Sequence, residues 1–103
     1  MGDQMLSADR LVAAARAGDQ DAWDALVDRH AQEVWASARS HGLSDRETTD
    51  VSLLTWLRLA DHLGDLRADE EVGPWLCSVA HDEARAVARE RATHSTGTVA
   101  LLG

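Results

Sequence analysis

Phenylalanine and tyrosine are missing from this chain of 103 residues, and every one of its ten basic residues is arginine. The aromatic content is tryptophan alone, at Trp23, Trp35, Trp56 and Trp75. The rest of the 45% hydrophobic share is mostly Ala, Leu and Val. These four indoles are therefore expected to supply most of the large-residue packing. A single cysteine, Cys77, excludes an internal disulfide and fits a reducing compartment. The first residues, Met1-Gly2-Asp3-Gln4-Met5, show neither the basic nor the apolar part of a secretory signal. No apolar run approaches the roughly 20 residues that span a bilayer. A soluble, cytoplasmic protein with no membrane partner is expected. The length is that of one small domain. A domain of this size buries only about 60–65% of the surface its unfolded chain exposes, so the core is modest.

The residue constellations of catalysis are missing as well. The histidines His30, His41, His62, His81 and His94 are scattered, with no His-Glu-x-x-His pair and no Cys/His cluster. There is no glycine-rich phosphate loop and no Ser/His/Asp set that falls on one surface. His30 reads as a partly buried core histidine. Cys77, beside Trp75 and Leu76, reads as a buried inert thiol. Neither a metal nor a cofactor is expected, and the chain is not expected to be an enzyme.

Charge is abundant but unevenly placed. The formal net charge is −8, a field that disfavours a polyanionic partner. Through Gly73 there are 7 Arg against 15 acids. From Pro74 on, Arg85, Arg89 and Arg91 balance Asp82, Glu83 and Glu90. The C-terminal stretch is thus the least repulsive surface the chain offers to a phosphate backbone.

The periodicity predicts an all-α fold, a compact bundle of about four helices joined by short glycine-marked turns. The first runs from near Ser7, a candidate cap, to Ala17, and Gly18 ends it. The second opens at Asp19 or Asp21 and ends near Gly42. Its early acids and late Arg39 and His41 suit the helix dipole. Trp23, Leu26, Val27, His30, Val34, Trp35 and Ala38 form its apolar stripe. The third opens with Ser44-Asp45-Arg46-Glu47, the pattern of a capping box, and stops near His62 at Leu63-Gly64. On a wheel of about 100° per residue, Trp56, Leu59, Ala60 and Leu63 group on its core side. Leu53 and Leu57 flank them, and Leu54 falls with Val51, Arg58 and Asp61 on the polar side. A loop from Asp65 to Val72 then carries Asp69, Glu70 and Glu71. The fourth helix begins with Pro74 in its first turn and runs through Trp75, Leu76, Val79, Ala80 and Val87 to about Arg91. The helical domain is assigned to residues 1–92. The stretch 93–103 is expected to be a flexible tail, or to dock on a neighbour.

Two stretches carry a family resemblance. Asp50-Val51-Ser52-Leu53-Leu54-Thr55-Trp56-Leu57-Arg58-Leu59 resembles the region 2.2 helix of the sigma-70 family of bacterial transcription initiation factors. Pro74-Trp75-Leu76-Cys77-Ser78-Val79-Ala80-His81-Asp82, followed by an arginine-bearing helix, is similar to the region 2.3–2.4 helix. Upstream, Leu11 to Asp19 and Ala22 to Val27 resemble the start of the extracytoplasmic-function group. The resemblance spans residues 7–92 and rests on the order and spacing of the motifs together. It implies a sigma region 2-like bundle that binds core RNA polymerase through the clamp coiled coil and opens the promoter −10 DNA. By position, Asp50, Leu53, Leu54 and Arg58 match the polymerase-facing residues. Arg67 falls in the base-capturing loop. Trp75, His81, Arg85, Arg89 and Arg91 fall on or near the strand-opening helix. His81, Arg85 and Arg89 are spaced by four and line one side of it, where arginines pair with phosphates or stack on bases.

Three departures define an alternative. Leu53 and Leu54 stand where the family usually has Gln and an acid. His81-Asp82, then Glu83, stand where Arg-Asn is usual, and Asp69, Glu70 and Glu71 add acid to the preceding loop. Nothing after residue 92 reads as the helix-turn-helix domain of the −35 element, so the chain is either part of a longer factor or a single-domain protein. The alternative is a divergent sigma-like module that has lost DNA binding and acts through protein contacts, as a homodimer or with an anti-sigma-like regulator.

Overall fold

The structure, a computed structural model, describes residues 11–102, and for Asp69 and residues 94–102 it describes the backbone alone. Residues 11–16 are helical (α1); the start expected at Ser7 lies outside the described residues. Gly18 ends this helix at φ +100°. Its N–H bonds to the Ala15 carbonyl at 3.0 Å, and the Asp19 N–H reaches back to the Ala14 carbonyl at 2.9 Å. This pair of return bonds is the usual glycine-terminated stop. Asp19 then caps the next helix, because its carboxylate accepts from the N–H groups of Asp21 and Ala22 at 2.9 and 3.2 Å.

Helix α2 spans Gln20–Arg39 and buries Ala22, Leu26, His30, Val34, Ser37 and Ala38. The predicted stripe is followed closely, except that Trp35 lies off it and is exposed. Gly42, at φ +75°, supplies the turn into α3. Helix α3 spans Asp45–His62. Its capping box is complete: the Glu47 N–H donates to Ser44 Oγ at 3.1 Å, and the Ser44 N–H donates to Glu47 Oε1 at 2.9 Å.

The buried face of α3 differs from the predicted one. It consists of Thr48, Val51, Thr55 and Leu59, whereas Ala60, assigned to the core, is exposed. The reason is that two of the inward residues are threonines whose hydroxyls are satisfied inside the helix. Thr48 donates to the Ser44 carbonyl at 2.7 Å and Thr55 to the Val51 carbonyl at 2.8 Å. So bonded, they pack as small apolar groups. A count of apolar residues alone therefore rotates the face away from its true position.

A short 3-10 turn, Leu63–Asp65, leads to α4, which spans Asp69–Leu102. Both ends of α4 extend beyond the predicted ones. At the start, Asp69, Glu70 and Glu71 form the first turn, where acids complement the helix dipole, and Glu71 Oε1 accepts from the Arg67 N–H at 2.8 Å. Pro74 is consequently inside the helix rather than in its first turn. Gly73 before it has no Cβ to clash with the proline ring. At the other end the backbone stays helical to Leu102, past the end expected near Arg91, and residues 93–102 contain no proline to stop it.

Each of α2, α3 and α4 packs on the other two. Ion pairs joining Glu47 to Arg91 and Arg58 to Glu83 show α3 antiparallel to α4. Val12, Leu26, Val34, Leu59, Leu63, Leu66, Val72, Leu76 and Ala80 form the main core. Ala38, Leu43, Val51 and Ala84 form a second cluster. The tryptophans do not carry this packing, contrary to expectation. Trp23, Trp56 and Trp75 lie against the core half-buried, and the fully buried large side chains are Leu26, Leu59 and Leu76. An indole is too large to bury whole in a core this thin, so it seals the edges. Among the described residues there is no strand and no helix long and apolar enough to cross a membrane.

Candidate protein and nucleic-acid interface

Two surfaces hold the residues singled out from the sequence. The first is the outward face of α3. Asp50, Leu53, Leu54 and Arg58 are all exposed on it. Leu53 and Leu57 retain 59% and 64% of their accessible surface and Leu54 37%, which excludes a wide core stripe through the leucines. Leu57 belongs to this patch by position. Arg58 lies at its edge toward α4, where its Nε pairs with Glu83 Oε2 at 2.7 Å.

The second surface is α4 with the connector before it. Arg67 is exposed in the connector. Trp75 is half-buried, with its ring 5.6 Å from that of His62. Arg85 and Arg89 point to solvent, but His81 does not share their setting. It is half-buried, and its Nδ1 lies 2.9 Å from His41 Nε2, one imidazole donating to the other across the α2–α4 seam. The predicted stripe is thus split into two outward arginines and one histidine engaged within the protein.

The electrostatics of α4 follow from its pairings. Arg85 bonds Asp82 one turn away at 2.5 Å, and Arg91 reaches Glu47 on α3 at 3.2 Å. Each guanidinium remains about half exposed, as does that of Arg58. Pairs this exposed are worth little, typically under about 1 kcal/mol, and yield to a competing anion. Among the described residues Arg67 and Arg89 make no such pair. Glu47 is, among the described residues, the one group whose ionisation is clearly perturbed. The Ser44 N–H it accepts holds its carboxyl below the ordinary value, aided by the Ser44 hydroxyl and Arg91 and opposed by burial.

His30 is buried in α2, its Nδ1 2.8 Å from Glu33 Oε1, while its Nε2 has no partner. Gly73 of α4 lies against this ring, so that even a methyl group there would come within 3.4 Å of it. Cys77 is a free thiol and only half-buried, more open than the buried position expected of it. No group of three or more His, Cys, Asp or Glu residues among the described residues is placed to hold a metal ion.

Comparison with known proteins gives one sigma factor among the relatives of the chain. The chain is 31% identical over 77 residues to the RNA polymerase sigma factor NccH of Alcaligenes xylosoxydans xylosoxydans. The chain is related to a sigma factor. The aligned part is 75% of this chain and 41% of that relative, so the chain spans well under half of the sigma factor's length. No family model matches the chain, and no solved structure matches it.

Proposed function

We propose that the chain is a non-catalytic sigma region 2-like module that binds core RNA polymerase through α3 and promoter −10 DNA through α4. The observation that carries this reading is the 31% identity to a sigma factor over 77 residues. On α3, Asp50, Leu53, Leu54 and Arg58 present a mixed apolar and charged strip to the clamp coiled coil. On α4 and its connector, Arg67 and Arg89 meet phosphates first, and Arg85 and Arg91 join them by leaving Asp82 and Glu47. Trp75 offers a half-exposed indole for a base to stack on. His81 acts from behind, holding α4 against α2 through His41. Electrostatic contact supplies most of the affinity, so binding weakens steeply with salt.

The test is binding to core polymerase and to the non-template −10 single strand at low salt. The reading expects both, with Arg89→Ala weakening DNA and sparing polymerase. Failure to bind either removes it. The charge of −8, together with the carboxylate partners of Arg58, Arg85 and Arg91, favours the second reading, a sigma-like module that acts through protein contacts alone. Polymerase binding without DNA binding at any salt concentration selects that one.

A further inference from the structure

The outward face of α3 is built in a way that neither surface of a simple monomer requires. Leu53 and Leu57 are its most exposed apolar residues. They belong to a line running Arg46, Asp50, Leu53, Leu57, at steps of four, three and four. That spacing keeps one edge of a helix continuously against another helix. Among the described residues nothing covers that edge, and α3 meets its neighbours through Thr48, Val51, Thr55 and Leu59.

The charges around the leucines point to what covers them. Arg46 stands at one end of the strip and Asp61 at the other, both exposed and neither paired within the protein among the described residues. They are separated by about 22 Å of helix. Across the whole face Arg46 and Arg58 balance Asp50 and Asp61, although the chain as a whole carries −8. A basic partner would find better complements on the more acidic surfaces of the chain. A second copy of the same chain meets little net repulsion on this balanced face, and the opposite charges at its two ends complement each other when the face meets itself.

We propose that two copies of this chain associate through α3, packed antiparallel about a two-fold axis near Leu53 and Leu54. Such an interface must be complementary to itself. In this register Leu53 faces Leu54 of the second copy, Leu57 covers the stem of the second copy's Asp50, and Arg46 faces the second copy's Asp61. The two Arg–Asp pairs bracket the leucines and exclude the parallel arrangement, which sets Arg46 against Arg46. The dimer covers Asp50, Leu53 and Leu54, so it competes with polymerase for the same strip. The inference does not rest on the sigma-type reading, since self-association is measured with neither polymerase nor DNA present.

Sedimentation equilibrium on the full chain tests it. The mass is expected to rise with concentration from the chain's 11.2 kDa toward twice that value. Leu57→Glu is expected to hold the monomer mass while leaving the circular dichroism unchanged, because Leu57 has no role in the core. Arg46→Asp and Asp61→Arg are each expected to weaken association, by about tenfold for the two symmetric pairs broken. The double swap R46D/D61R is expected to restore it. A monomer at every concentration overturns the proposal and leaves the leucines to a different partner. So does a dimer that ignores both Leu57→Glu and the charge swap, since its interface then lies elsewhere.

Discussion

Helices α2 and α3 are similar in length, yet they use their apolar residues in opposite ways. In α2 the large aliphatic residues Leu26 and Val34 point inward, and the pattern of the sequence is the pattern of burial. In α3 three leucines point outward while two threonines point in. The difference teaches that hydrophobicity marks the core only where no hydroxyl competes for it. A threonine bonded to its own helix costs little to bury, and it frees the leucines to be spent on a surface. A helix with leucine outside and threonine inside is built to touch something beyond its own domain.

The comparison breaks or holds first on core truncation. Leu26→Ala in α2 is expected to cost about 2–5 kcal/mol, the range for removing a fully buried leucine. Leu57→Ser in α3 is expected to stay within about 0.5 kcal/mol. Denaturant unfolding of the monomer reads both, and a comparable loss from Leu57→Ser would mean that α3 is not inverted at all.

A smaller effect is expected from the α3 cap. Ser44→Ala removes the acceptor of the Glu47 N–H, and a loss of about 1 kcal/mol follows, typical of N-cap removal. Stability unchanged by Ser44→Ala would show that packing alone positions the start of α3. Smaller again is Thr55→Val. The Val51 carbonyl keeps its helical N–H partner, so the hydroxyl leaves no orphan behind. A change of less than about 1 kcal/mol in the same unfolding experiment supports the view that this threonine is packed as an apolar group. A loss several times larger would reveal a hydroxyl with a more demanding role.

The smallest effect is a pH dependence at Glu47. Its carboxyl is held below the ordinary value of 4.5, first by the Ser44 N–H and then by the Ser44 hydroxyl and Arg91. The folded state therefore binds this proton less readily than the unfolded state. The stabilisation is complete above 4.5 and is lost as pH falls through the depressed folded value. Unfolding midpoints of the native chain and of Glu47→Gln are expected to differ near neutrality and to converge in acid. A gap that persists in acid would assign the difference to the amide's geometry rather than to charge.

Much of this architecture was legible before any coordinate. The turns at Gly18 and Gly42, the capping box at Ser44, and the α2 stripe are local chemistry, settled within a few residues. The start of α4 was also legible in principle: three successive acids before Pro74 are a first-turn signal, and the proline, a stronger-looking mark, drew the boundary too late. The candidate site was half legible. Which residues belong to it came from spacing and resemblance. That His81 is turned to His41, or that Arg58 and Arg91 meet Glu83 and Glu47, depends on residues about 25 to 45 positions apart in the chain.

By itself, then, the sequence determined an all-helical fold of about four helices and the chemistry of the turns at Gly18, Gly42 and Ser44, because each is decided by neighbours within one or two turns. Only the tertiary structure decided which face of α3 turns inward, which arginines are met by carboxylates, and that leucines rather than indoles fill the centre. Those outcomes depend on the space left between three packed helices, and that space is defined by all of them together.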